Sequence, residues 1–197
     1  MGREEEIIEY WFGDLDDPEN KGDFDKWFGK DPTVDDEIRQ RFSDDLERAG
    51  KGEYDSWMAS PRSCLALIVL TDQFPRNMFR DSPKAFSFDE KAKEAAEAAV
   101  ERGFDEFVPV LGRLFMYLPF EHSEKMEDQE RSVELFTKLK EDAPASMSET
   151  MDEVMWYADR HHEIIKRFGR FPHRNNVLGR KTTEEEEKFL KEPGSSF

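Results

Sequence analysis

In Ser60-Pro61-Arg62-Ser63-Cys64-Leu65-Ala66-Leu67-Ile68-Val69-Leu70-Thr71-Asp72-Gln73-Phe74-Pro75-Arg76-Asn77, every position from Cys64 to Leu70 is apolar. A helix here has no polar face, so it belongs at the centre of a helical fold. Ser60-Pro61 supplies its start, because proline is tolerated in a first helical turn. Its end is expected at Phe74, which Pro75 biases away from helical geometry, giving a helix over 61–74. Cys64, the one cysteine of the chain, reads as a small buried side chain rather than a nucleophile. It excludes an intramolecular disulfide and points to a reducing compartment.

Outward from this segment the helical pattern repeats. Toward the start, Ile7, Ile8, Trp11 and Phe12 fall at helical spacing behind Glu4, Glu5 and Glu6, and Gly13 ends the run. Residues 14–33 read as a loop pinned to the core by Trp27 and Phe28, in a Trp-Phe-Gly triplet that echoes Trp11-Phe12-Gly13. Thr33 with Asp36 suggests a capping box for a helix over 34–49, striped by Val34, Ile38, Phe42, Leu46 and Ala49 and stopped by Gly50. Ser87 with Glu90 suggests another for an alanine-rich helix over 88–102, closed by Gly103. An apolar helix is expected over 107–118, with a break at Pro119. A one-sided surface helix follows over 124–140, striped by Met126, Gln129, Val133, Phe136 and Leu139. A long helix over 148–168 precedes Gly169, and Thr182 or Thr183 with the glutamate run opens a short last one. No segment alternates with a period of two over strand length. The expectation is a single all-α domain over 1–197, an antiparallel bundle or superhelix of about eight or nine helices without a sheet.

Composition narrows the function classes. The 197 residues hold 29 basic against 46 acidic side chains, a net charge of −17, which disfavours nucleic-acid and anionic-membrane partners. Charged residues reach 38%, yet 13% aromatic residues, 17 of them Phe, provide a core. The start of the chain lacks a signal pattern, and its apolar runs fall well short of the roughly 18 residues of a membrane span, so a cytoplasmic protein is expected.

Two similar segments concentrate the polar chemistry: Asp72-Gln73-Phe74-Pro75-Arg76-Asn77 and Gly169-Arg170-Phe171-Pro172-His173-Arg174-Asn175. Each reads as a corner where Phe-Pro ends a helix, and Arg and Asn beyond it can meet the freed carbonyls. Residues 160–181 hold Arg160, Lys166, Arg167, Arg170, Arg174, Arg180 and Lys181 against Glu163 alone, an island of opposite sign. That island either receives an anion or neutralises acidic neighbours such as Asp72, Glu121 and Glu124. Arg113 lies in an otherwise apolar run and demands a nearby carboxylate, with Asp72 or Glu121 as candidates. Glu121 and His122 emerge from the apolar run that holds Tyr117, where a pocket can open. His161 lies on the apolar face of its helix, as a hydrogen-bonded core histidine or a base.

No histidines recur at i and i+4 and no cysteines cluster, so no metal or cofactor is expected. His162-Glu163-Ile164-Ile165-Lys166 imitates a metalloprotease helix, but Lys166 stands where the second ligand is needed. Gly-rich phosphate loops and Gly-x-Ser-x-Gly elbows are absent.

Trp11-Phe12-Gly13, Leu65-Ala66-Leu67-Ile68 running into Asp72-Gln73-Phe74-Pro75-Arg76-Asn77, the run from Tyr117 to Glu124, and Ile164 to Arg180 with Leu178-Gly179-Arg180 together resemble the bacterial domain of unknown function 924 family. The resemblance spans nearly the whole chain and implies a tetratricopeptide-like helical fold, with no established activity. Thr71 departs from the aliphatic residue expected there.

Two functions fit these residues. One is a pocket for a small anionic ligand between the two Phe-Pro corners, with His122, His161 or His173 as proton-transfer candidates, drawn from Asp72, Gln73, Arg76, Asn77, Arg113, Tyr117, Glu121, His122, His161, Arg170, His173, Arg174 and Asn175. The other is a tetratricopeptide-like scaffold for a peptide, acidic if it meets the basic island, with the polar motifs as internal staples.

Overall fold

The computed structural model describes residues 2–196. The chain is all-α, with no strand among the described residues. Its helices are α1 (Arg3–Phe12), α2 (Phe24–Phe28), α3 (Pro32–Gly50), α4 (Pro61–Ile68), α5 (Phe74–Met78), α6 (Asp89–Glu101), α7 (Val110–Glu121), α8 (Met126–Asp142), α9 (Ser148–Phe168) and α10 (Glu184–Phe189). None among the described residues is long and apolar enough to cross a membrane. Contacts group the chain into two compact units, one running to Arg80 and resuming over Lys84–Pro119, the other made of Asp81–Pro83 and the chain from Phe120 onward.

In the first unit α4 is the axis, and Cys64 to Leu70 are all fully buried. Burial pushes the Cys64 thiol up to about 12, and its Sγ lies 3.3 Å from the Ala95 carbonyl, so it serves as core. The small side chains of α6, Ala92, Ala95, Ala96 and Ala99, are fully buried too. A methyl group on Gly112 of α7 would stand 3.0 Å from a Leu65 methyl, so glycine allows that close approach. Trp11 meets Phe74 and Phe115 edge to face at 5.5 and 5.8 Å, and Trp27 Nε1 donates to the Trp11 carbonyl at 2.8 Å. Trp27 thus pins residues 14–33 as expected, and Phe28, though 54% exposed, stacks on the buried Phe115 ring at 6.0 Å; the segment also contains α2, capped by Asp23.

The expected end of the central helix at 74 does not occur. α4 passes through a π turn at Val69–Gln73 into α5, and Phe74 is helical with φ −61° and ψ −36°. The π turn shifts the hydrogen-bond ladder by one residue, so Pro75 falls in the first turn of a new segment, where a missing N–H is harmless. Thr71 lies inside this turn, fully buried, and its hydroxyl donates to the Leu67 carbonyl at 2.7 Å.

Other expected boundaries shift for local reasons. Asp31 rather than Thr33 caps α3, accepting from the Thr33 N–H at 2.8 Å. Gly50 stays helical, and Gly52 takes the left-handed conformation at φ +80°. The Ser87 hydroxyl donates to the Lys84 carbonyl instead of closing a box with Glu90. α7 begins at Val110, leaving Phe107 74% exposed in a preceding 3₁₀ turn, and continues through Pro119, which forfeits one ladder bond two residues before the helix ends.

In the second unit, residues 143–147 join α8 to α9 in a helical hairpin. Its core gathers Ile164, Ile165, Phe171 and Phe189 with Met126 and Phe168. Gly169, at φ +66°, ends α9 by donating to the Ile165 carbonyl at 2.8 Å. α10 starts with the expected capping box: the Glu186 N–H donates to Thr183 Oγ1 at 3.2 Å, and the Thr183 N–H donates to Glu186 at 2.7 Å. Thr183→Ala is expected to cost about 1 kcal/mol in urea unfolding. An unchanged midpoint would show that the Arg170–Glu186 pair holds α10 without the box.

Candidate functional site

The second unit gathers His161, His173 and Arg174 around Phe171, with Glu121 and His122 near His161. α7 ends at Glu121, leaving carbonyls without helical donors. Gln129 of α8 reaches back, its Nε2 donating to the Glu121 and Ser123 carbonyls at 2.6 and 2.7 Å, while Arg174 Nη1 donates to the His122 carbonyl at 3.0 Å. The bend after α7 is therefore held from two sides.

His161, 5% exposed, projects from the buried face of α9. Its Nδ1 lies 2.8 Å from the Tyr157 carbonyl and 3.2 Å from Glu121 Oε1. Both neighbours are acceptors, which assigns the proton to Nδ1 and the lone pair to Nε2. The ring meets Phe171 edge-on at 5.3 Å and stands 6.4 Å from His122. His173 lies 5.6 Å from Phe171, and the Arg174 guanidinium sits over the same ring at 4.4 Å.

The electrostatics follow from burial among cations. Burial holds His161 well below the usual histidine range, reinforced by His122, Arg174 and His173 and opposed by the Tyr157 carbonyl. His173 is pushed down to about 4, first by burial and then by Arg174, with Glu124 pulling the other way. At neutral pH both imidazoles are uncharged, so a neutral base lies near a guanidinium over an apolar floor.

Phe171 is held by a staple whose charged members, Glu124 and Arg180, the sequence marked as an acidic neighbour and a member of the basic island. Its N–H donates to Glu124 Oε1 at 2.8 Å and its carbonyl accepts from Arg180 Nη2 at 2.9 Å. Arg180 and Glu124 close the loop with bonds of 2.7 and 3.0 Å, and Arg180 Nε donates to Asn175 Oδ1 at 3.0 Å. Burial pushes the Glu124 carboxyl up, but Arg180 and the Phe171 N–H outweigh it and hold it low.

Several candidate residues lie elsewhere. Arg170 forms a two-pronged pair with Glu186 at 2.7 and 2.9 Å, and with Thr183 it holds that carboxyl down at about 2. Asn175, fully buried, stays with the Phe171 staple through Arg180. Much of the basic island is thus neutralised, by Glu124 as expected and by the glutamates of α10, since Arg167 also pairs with Glu185 at 3.0 Å.

In the first unit, Gln73 Nε2 donates to Asp72 at 2.5 Å, and Arg76 bridges Asp72 and Asp89 at 3.3 and 3.0 Å. Asn77 donates to Asp35 at 2.8 Å, and Arg80 grips the same carboxylate. Arg113 Nε reaches the Tyr117 hydroxyl at 3.4 Å, and that hydroxyl donates to Asp105 at 2.6 Å. Asp105 is a buried carboxylate the sequence reading did not name. Among the described residues no group of three His, Cys, Asp or Glu is arranged to hold a metal ion.

A family model described as bacterial protein of unknown function (DUF924) matches residues 7–194. The chain belongs to this family. A solved structure of a protein of unknown function from Agrobacterium tumefaciens is 37% identical, covers 95% of this chain and 96% of its own, and superposes with a TM-score of 0.81. No curated protein matches.

Proposed function

We propose that this DUF924 protein binds a small anionic metabolite, carboxylated or phosphorylated, at the Phe171 cluster, with the Glu121–His161 pair as a proton acceptor beside it. The supporting observation is the convergence of Arg174, His161 and His173 on one buried ring. A guanidinium matches planar oxyanions, and an apolar floor strengthens the attraction by excluding water. The Glu121 carboxylate on Nδ1 stabilises an imidazolium formed when Nε2 takes a proton, which is the arrangement general-base catalysis uses.

Binding and protonation are linked in this reading. Burial is the main cause that depresses His161 and His173, and Arg174 adds to it; an incoming anion offsets that cationic part, so the imidazoles rise part of the way toward their ordinary range and take up protons. A thermal-shift screen of phosphorylated and carboxylated metabolites, run at about pH 6 and about pH 8, is expected to find anions that stabilise more strongly at the lower pH. Calorimetry in buffers of different ionisation enthalpy is expected to register proton uptake, and Arg174→Gln to weaken binding about tenfold or more. Stabilisation indifferent to Arg174 and to pH would remove the anion from this cluster.

A second reading is a tetratricopeptide-like scaffold for a peptide. It is favoured by the internal engagement of Arg76 with Asp72 and Asp89 and of Arg170 with Glu186, which makes those motif residues staples. A stoichiometric acidic peptide whose binding survives Arg174→Gln would favour it.

A further inference from the structure

Trp156, Asp159, Arg160 and Glu163 line one stripe of α9 at helical spacing and, with Pro193, border an open hollow of ≈ 420 Å³ on the second unit. Trp156 is 51% exposed, although its ring is the largest apolar surface in the stripe. The chain after α10 folds back over it: a methyl group on Gly194 would lie 3.2 Å from the Trp156 ring, and Arg160 Nε donates to the Gly194 carbonyl at 3.0 Å. Arg160 is further committed to Glu163 at 3.3 Å and to the Phe189 ring at 5.3 Å. The lining therefore holds two carboxylates against one guanidinium that is tied into the wall, beside an open indole face and a proline ring.

An indole face with an excess of negative charge attracts a cation carrying an apolar collar, because the ring quadrupole and the carboxylates act in the same direction. An anion is repelled there, so this hollow is chemically opposite to the Phe171 cluster. We propose that the Trp156 hollow binds an alkylammonium group, either of a free small molecule or of a methylated lysine side chain. Trp156 supplies the face, Asp159 and Glu163 the charge, and Pro193 the side wall, while Arg160 positions the wall.

The test is nuclear magnetic resonance of the indole N–H of Trp156, assigned with Trp156→Phe, during titration at matched ionic strength with choline chloride. Its neutral isostere 3,3-dimethylbutan-1-ol and an acetylated, amidated trimethyllysine run in parallel. Choline is expected to shift the Trp156 signal saturably in the millimolar range while the isostere leaves it unmoved. Asp159→Asn should weaken choline binding about threefold. Trimethyllysine binding more tightly than choline would assign the site to a protein side chain, and equal or weaker binding to a free metabolite. Equal shifts with the isostere, no saturable shift, or choline affinity unchanged in both Trp156→Leu and Asp159→Asn would overturn the proposal. Hydrogen exchange across α9 checks that each variant remains folded.

Discussion

Glu124→Ala lowers the stability of the second unit by about 2 kcal/mol, the cost of opening a part-buried ion pair and stranding the backbone N–H it held. Two kinds of partner lose the carboxylate at once: the Phe171 N–H and the Arg180 fork. Phe171 is fully buried, so its N–H cannot turn to water, whereas Arg180 keeps the Phe171 and Asn175 oxygens and part of its hydration. The cost therefore lies below that of breaking a fully buried pair. Arg180→Lys keeps the charge but loses the fork, and is expected to fall between wild type and Glu124→Ala. In Glu124→Ala/Arg180→Ala the losses should add to less than their sum, because each single change already breaks the shared bonds. Urea unfolding followed by hydrogen exchange in α9 measures all three. Wild-type stability in Glu124→Ala would mean that the Phe171 backbone re-pairs elsewhere. Because this staple fixes the ring on which Arg174, His161 and His173 converge, anion binding should weaken along with stability.

The helical architecture was legible wherever apolar spacing and a terminator agreed. Cys64 to Leu70 announced a central helix, and they are buried to the last residue. Gly13, Gly103 and Gly169 follow the ends of their helices as read, Gly103 and Gly169 in left-handed geometry, and Thr183 with Glu186 formed its box. The caps at Thr33, Gly50 and Ser87 moved through local hydrogen bonding, whereas the two proline misreadings are a local bias overruled by the surrounding structure. Pro75 disfavours a helical Phe74, but Phe74 packs against Trp11 and Phe42, and a π turn satisfies both demands. Pro119 likewise failed to end α7.

The candidate site was legible by residue type and less so by partner. His161 stood out on an apolar helix face, and its pairing with Glu121 needs residues that sequence separates by 40 positions and no local pattern connects. The two Phe-Pro segments look alike in sequence, yet one is helical at Phe74 and the other extended at Phe171, with φ −86° and ψ 107°. The difference is the glycine: Gly169 ends α9 before the second Phe-Pro, while Gln73 continues the helix into the first. Gln129 was visible as a polar residue in an apolar stripe, a signal that a buried amide must serve backbone groups nearby. Asp105 carried no comparable mark.

Acidification supplies the other large effect. His173, at about 4 in the folded chain against about 6.5 unfolded, stays neutral while the unfolded chain takes up a proton. The unfolded state therefore binds more protons between these values, and the native state loses stability as pH falls from about 6.5 to about 4, with no further loss from this group below that. The gap corresponds to about 3 kcal/mol. His161 shifts in the same direction and extends the loss to lower pH. Two other contributions overlap. Glu124 and Glu186, both held low by their arginines, withdraw support only as pH falls below the ordinary carboxylate range, so the interval from about 6.5 to about 5 belongs to the imidazoles. Relief of repulsion in a chain of charge −17 acts in the opposite sense, and it is common to wild type and a His173→Gln variant. The difference between the two proteins isolates the histidine. In urea unfolding at stepped pH, wild type should lose its margin over His173→Gln through this interval, and a saturating phosphate or carboxylate ligand of the Phe171 cluster should restore part of it by replacing repulsion among Arg174, His161 and His173 with attraction. Parallel pH profiles for the two proteins would show that His173 is not held neutral, and the electrostatic case for an anion at Phe171 would fall with it.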